Sequence, residues 1–349
     1  MDQMDHYLIT GPERIEQVRE PLPLPGPGDV LVRLAYTAIS PGSNVFAYRT
    51  GSYADPPDGH PTEAVYMGSG IVVAVGNDVA SVNAGDRVAV QTGHQAYAVV
   101  PERAAHVIPP ALDLRDASLA YLSSWAVSAL HLGRYAAAET VVVVGQGLVG
   151  ASAALVADGM GARVLALDIE PARADLARRL DLAAVVQPGS PDAEAQIARF
   201  LGDHGPDLIL ETSGAWGGLR QAVTLARDYT RIAIMGIYRQ PPPPDLGADL
   251  FRLLNGYPSK FHYGRLQIIG CGSDPDEIVQ PNPYRFTRRS NFGYVLEQAG
   301  RGRLPLGRLV THCLPPEEIG AALARLAAGD TSMVGVVFKW PSENGGMAP

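Results

Sequence analysis

The residues with the clearest chemical meaning are Gly145, Gly147 and Gly150, set in the run Val141-Val142-Val143-Val144-Gly145-Gln146-Gly147-Leu148-Val149-Gly150. Glycines at this spacing suit a pyrophosphate. The first allows a tight bend, the second lets the backbone approach the phosphates, and the third lets a helix pack closely on a sheet. A helix beginning near Leu148 would add its free N–H groups and the positive end of its dipole. The second chemical signal is Asp168, about 20 residues further on, at the end of the apolar run Arg163-Val164-Leu165-Ala166-Leu167. A carboxylate there accepts hydrogen bonds from the ribose hydroxyls and repels a 2′-phosphate, so NAD(H) is expected over NADP(H).

These residues need a parallel sheet behind them. Four β-branched residues at 141–144 read as a strand buried on both faces. From there the pattern alternates, with strands near 164–167, 184–186, 208–211 and 232–235 and helices near 150–160, 171–180, 193–201 and 219–226. That alternation is the signature of a doubly wound α/β domain, closed by a strand at 266–270. The first ~110 residues read as mostly β, with strands at 30–36, 70–76, 85–90 and 97–101. Loops join them, and 51–61 is the most loop-like. The prolines at 241–244 predict an extended surface connection, the stretch 274–289 leads out of the sheet, and the tail from Ser342 is expected to be disordered. Helices at 291–300 and 317–328 and a strand at 334–339 complete the pattern.

A chain of 349 residues with 46% hydrophobic and 18% charged residues has ample core for two domains. Its net charge of −8 argues against nucleic acid or an anionic membrane as partner. No apolar run approaches a membrane span, and no secretory signal opens the chain. With only Cys271 and Cys313, a cysteine-built zinc site is excluded and a reducing, cytoplasmic setting is expected.

Taken together, the chain resembles the medium-chain dehydrogenase/reductase superfamily. The resemblance rests on Pro27-Gly28-Asp29-Val30-Leu31-Val32, Gly70-Ile71-Val72-Val73-Ala74-Val75-Gly76, Gly85-Asp86-Arg87-Val88, the glycine run with Asp168, and Val310-Thr311-His312 ahead of Pro315. It implies a β-rich GroES-like catalytic domain (1–124 and 288–349) and a Rossmann NAD-binding domain (125–287), with a homodimer through the cofactor domains. Zinc-dependent members carry ligands at the positions matching Pro41, Tyr66 and about Ser124. Proline, tyrosine and serine do not make a Zn²⁺ site, so no metal is expected. The run Thr37-Ala38-Ile39-Ser40-Pro41-Gly42-Ser43 is also similar to a metal-free branch of the superfamily that includes polyol and sugar oxidoreductases.

Without a Lewis acid, a side chain must move the proton while the nicotinamide exchanges hydride. The resemblance offers Ser43, at the position of a relay hydroxyl; Tyr66, in place of the histidine ligand; and His94, at the end of the third strand. Of these, only histidine ordinarily titrates near neutrality, so His94 is the expected acid/base and Tyr66 the group orienting substrate. For the cofactor, the resemblance adds the Leu148 and Val149 amides, Arg173 bordering the adenine, and Ser213 on the adenosine side. His131 and His312 are expected to pack. The expected reaction is NAD-dependent interconversion of a secondary alcohol and a ketone on a small polyol, sugar or cyclitol-like molecule. The alternatives are a quinone or enoyl reductase, and a non-catalytic NAD(H)-binding protein.

Overall fold

The structure, a computed structural model, describes residues 3–53, 61–64, 66–256, 258–272 and 286–341. The expectations for most of the 51–61 loop, for the stretch from 274 and for the tail from Ser342 lie outside the described residues. The chain divides into one unit of Met1–Leu122 with Phe292–Pro349 and another of Ser123–Asn291.

The first unit opens with a hairpin, β1 (Gln3–Gly11) and β2 (Arg14–Pro21), which the sequence reading left without strands. There follow β3 (Asp29–Ala38), α1 (Pro41–Thr50), β4 (Thr62–Glu63), β5 (Met67–Val75), β6 (Arg87–Val90), β7 (Tyr97–Pro101), β8 (His106–Val107) and α2 (Leu114–Ala117). Strand β3 is the spine, pairing antiparallel with β5 on one side and with β7 along its first half. Its Val30, Val32 and Leu34 enter the main core, while Leu31 packs on the other face against Met4 and Tyr97. Burial on both faces explains its nearly continuous apolar sequence.

Helix α1 was unforeseen, yet its ends carry ordinary signals. Pro41 supplies a preset φ and loses no hydrogen bond at the start, and Gly51 ends the helix at φ 84°, donating to the Ala47 carbonyl at 2.7 Å. Tyr48 on this helix is buried in the core.

The second unit follows the expected alternation, apart from a helix at Leu246–Asn255 that the sequence reading did not assign. Helix α3 (Ala120–Leu132) leads to β9 (Thr140–Val144), α4 (Leu148–Gly159), β10 (Arg163–Leu167), α5 (Pro171–Arg178), β11 (Ala184–Val186) and α6 (Ala193–Leu201). Then come β12 (Leu208–Glu211), α7 (Trp216–Leu225), β13 (Arg231–Ile234), α8 (Leu246–Asn255) and β14 (Gln267–Gly270). All six strands are parallel, in the order β11-β10-β9-β12-β13-β14. The chain runs from β9 outward in one direction and returns to start β12 on the other side. The switch point between the carboxyl ends of β9 and β12 is where such sheets bind ligands. Val141, Val142 and Val143 are fully buried, each contributing about 1.5–3 kcal/mol of apolar burial.

The chain closes with α9 (Arg288–Gly300), β15 (Val310–Leu314), α10 (Ile319–Ala327) and β16 (Gly335–Lys339). Strand β16 joins β3 antiparallel and completes the sheet of the first unit, in the order β15-β16-β3-β5-β6-β8. The unit boundaries fall inside α3 and α9. Among the described residues, no helix is long and apolar enough to cross a membrane.

Candidate active site

The glycine turn lies at the carboxyl end of β9, on the switch point. Gly145 adopts φ 91°, a left-handed conformation that disfavours any side chain, and a Cβ there would lie 3.0 Å from Ser213. A Cβ on Gly150 would come within 1.8 Å of the Gly145 carbonyl oxygen, so only glycine lets α4 approach the strand this closely. Gly147 differs: a Cβ there meets nothing within 4 Å. Its backbone faces open space beside the first turn of α4, where the Leu148 and Val149 amides have no intrahelical acceptor. Those donors and that opening suit the pyrophosphate of a dinucleotide.

Asp168 follows β10 and is buried. Its Oδ2 accepts the Gln146 backbone N–H at 2.5 Å, and its Oδ1 accepts the Glu170 N–H at 2.8 Å. A carboxylate offers about four lone-pair positions, so two remain for ribose hydroxyls. The same oxygens present only acceptors to a 2′-phosphate. Arg173 is half-buried in the first turn of α5. Ser213, after β12, packs against Gly145, and its backbone N–H donates to Glu211 Oε1 at 2.9 Å. Thr212 ties this loop to the turn, its hydroxyl lying 2.9 Å from the Val144 carbonyl oxygen and 3.0 Å from that of Gly145.

In the first unit, sheet register fixes where the proposed catalytic side chains begin. Ala38 pairs with Met67, and Gly68 with Val90, so the end of β3, the start of β5 and the end of β6 share one end of the sheet. Ser43, half-buried, sits in the first turn of α1 just beyond β3. Tyr66 precedes β5, and its N–H donates to the Thr92 carbonyl at 2.8 Å. The half-buried Tyr66 ring packs edge-on against Tyr121, with centroids 5.7 Å apart. Asn44 is fully buried and serves structure: Oδ1 accepts the Ser40 N–H at 2.7 Å, and Nδ2 donates to the Tyr53 hydroxyl at 2.7 Å.

His94 does not match its expected role. Its ring is 0% exposed, packed edge-on against Phe338 with centroids 5.2 Å apart. Nδ1 lies 2.8 Å from the Thr37 hydroxyl, which also accepts the Trp340 indole N–H at 3.0 Å. Burial, reinforced by His6, pushes its pKa down to about 3. An imidazole that is neutral at pH 7 and sealed from solvent cannot trade protons with a substrate, so the choice of His94 as acid/base is corrected to a core histidine. Thr37, its partner, and Trp340, which donates to Thr37, carried no signal in the sequence because they lie far from His94 along the chain. His312 lies 2.9 Å from the Thr311 hydroxyl, and His131 stacks on Phe286, centroids 3.6 Å apart.

The positions that the resemblance matches to zinc ligands are Pro41 at the start of α1, Tyr66, and about Ser124, which is buried in α3. Proline has no donor atom, and neutral phenol and hydroxyl oxygens are poor ligands for Zn²⁺. Among the described residues, no group of three or more His, Cys, Asp or Glu is placed to hold a metal ion. These three side chains do not make a catalytic zinc site.

Two family descriptions match the chain, the alcohol dehydrogenase GroES-like domain over residues 26–150 and the zinc-binding dehydrogenase over residues 149–272. L-threonine 3-dehydrogenase of Deinococcus deserti is 30% identical over 278 residues, which cover 70% of this chain and 79% of that protein. The chain belongs to the medium-chain dehydrogenase/reductase superfamily. That membership makes it an oxidoreductase. It is also 27% identical to a probable D-xylulose reductase A of Arthroderma otae over 360 residues, covering 93% of this chain and 94% of that one. Among solved structures, an alcohol dehydrogenase from Escherichia coli CFT073 complexed with NADH matches with a TM-score of 0.77 at 21% identity, covering 97% of this chain and 100% of that one. At that identity the likeness bears on the fold.

Proposed function

We propose that this superfamily member is a zinc-independent, NAD-dependent dehydrogenase. It interconverts a secondary alcohol and a ketone on a small polyol, sugar or cyclitol-like substrate. The observation that carries the reading is the glycine turn at the end of β9 with the buried Asp168 carboxylate bonded to its Gln146 N–H, in a chain where the resemblance puts Pro41, Tyr66 and about Ser124 at the zinc-ligand positions. The substrate class is supported by the relative named as a D-xylulose reductase.

Gly145, Gly147, Gly150 and the Leu148 and Val149 amides hold the pyrophosphate. Asp168 holds the ribose, with Arg173 and Ser213 bordering the adenosine. Bound NAD supplies the two-electron acceptor for the carbinol carbon. The Tyr66 phenol hydrogen-bonds the substrate oxygen and, with the Ser43 hydroxyl as relay, passes its proton to or from water. The chain works as a homodimer, a reading supported by the edge strand β14, where Ile268 is 44% exposed, and by the exposed Phe261 and Tyr263 in the segment before it.

The test is NAD⁺ and NADP⁺ reduction across a panel of polyols and sugar alcohols, with metal content measured on the same preparation. Turnover with NAD⁺ and no stoichiometric zinc is expected. Preference for NADPH with quinones or enones would replace this reading with a reductase, and tight NADH binding without turnover would replace it with a sensor. Tyr66→Phe should lower turnover about 10²-fold with NADH affinity unchanged, the usual size of a lost proton-transfer group. Unaltered turnover in steady-state assays would remove Tyr66 from the chemistry.

A further inference from the structure

Glu211 ends β12 next to the switch point and is fully buried. Buried carboxylates are rare and need partners on every oxygen. Here Oε1 accepts the N–H of Ser213 at 2.9 Å and also its hydroxyl, and Oε2 accepts the Tyr238 hydroxyl at 2.6 Å. The Glu211 carbonyl accepts N–H groups from Met235 at 2.8 Å and Gly236 at 3.0 Å. One residue therefore fastens the loop after β12 to the loop after β13.

Two glycines make room for it. A Cβ at Gly218 would lie 2.8 Å from Oε1, and one at Gly236 would lie 2.9 Å from Oε2. Trp216 covers the arrangement, its ring 4.5 Å from that of Tyr238 and its indole N–H bonded to the Gln240 carbonyl at 2.8 Å. Burial first, and then the bond to Glu211, raises the Tyr238 pKa, so the phenol remains a donor at any physiological pH. The Ser213 held by this carboxylate is the same residue that a Cβ on Gly145 would meet at 3.0 Å.

We infer that Glu211 is a positioning residue for dinucleotide binding, which braces Ser213 against the glycine turn through a Ser213–Glu211–Tyr238 bridge centred on its buried carboxylate. Its loss leaves the sheet formed and loosens the wall behind the pyrophosphate turn. The inference rests on the reading that this unit binds NAD(H).

The test uses the full chain and NADH itself. Fluorescence titration should show Glu211→Ala weakening NADH binding roughly tenfold to a hundredfold, and Tyr238→Phe roughly tenfold, as expected for buried groups left unpaired. Glu211→Gln should recover affinity to within about threefold, because its amide oxygen still accepts from Ser213 and its NH₂ can donate to the Tyr238 oxygen. Trp216 emission should shift in Glu211→Ala and Tyr238→Phe and return in Glu211→Gln, with Trp216→Phe assigning the signal. Variants that melt earlier yet bind NADH like the parent would overturn the inference, and so would failure of glutamine to rescue. If Glu211→Ala does not fold, Tyr238→Phe and Glu211→Gln carry the same comparison. A parent chain that binds no NADH would overturn the cofactor reading, and the inference with it.

Discussion

Gly150→Ala should abolish useful NADH binding and destabilise the fold, whereas Gly147→Ala should cost affinity alone. The added methyl at position 150 would sit 1.8 Å from the Gly145 carbonyl oxygen and 2.5 Å from the Thr212 hydroxyl oxygen. The first of these is backbone, held by the turn it belongs to, so α4 must move off the sheet. Overpacking of this kind costs about 1–3 kcal/mol or more. Because it distorts the turn that receives the phosphates, an affinity loss on the order of a hundredfold is expected as well. At position 147 the methyl meets no protein atom within 4 Å, so thermal unfolding should match the parent. The same methyl would stand where the cofactor backbone approaches, and NADH titration should show a clear loss. If Gly147→Ala binds NADH as tightly as the parent, the pyrophosphate does not approach there.

The second large effect is a steep acid sensitivity from His94. Its folded pKa of about 3 lies below the ordinary value of 6.5, so the native state refuses a proton that the unfolded chain accepts. The stabilisation this represents is fully present above pH 6.5 and is lost as pH falls towards 3. The slope is about 1.4 kcal/mol per pH unit, with a total on the order of several kcal/mol. Urea unfolding at pH 7, 6 and 5 should show it. His94→Gln, with an amide that can still reach Thr37, should be less stable at pH 7 but lose stability more slowly on acidification. His6, 3.5 Å from Glu20 and 3.9 Å from Glu63, is common to both proteins, so the difference between their slopes isolates His94. Parallel slopes would show that the buried imidazole is protonated without penalty. The same experiment bears on the proposed function, in which Tyr66 and Ser43 rather than His94 carry the proton.

The amino-acid sequence by itself determined the parallel sheet, the glycine turn and the carboxylate at 168. These signals are short-range. A strand buried on both faces must be apolar along its length, a turn at φ 91° must be glycine, and both constraints are written within ten residues of each other. Helix α1 was legible on the same terms, in Pro41 and Gly51, and was missed because α1 carries little apolar stripe to mark it.

Only the tertiary structure decided the chemistry of the remaining side chains. His94 looked like a reactive histidine at a strand end, but β1 donates a hydrogen bond to its carbonyl from Tyr7, while Phe338 packs on its ring and Trp340 bonds its partner Thr37. Those contacts join residues far apart in the chain, and no local pattern announces them. The bridge from Glu211 to Tyr238 forms because β12 and β13 are neighbours in the sheet, a pairing that brings residues 27 apart to 2.6 Å. Backbone conformation follows from nearby residues. Burial, and with it protonation and reactivity, is set by whatever the fold brings against a side chain.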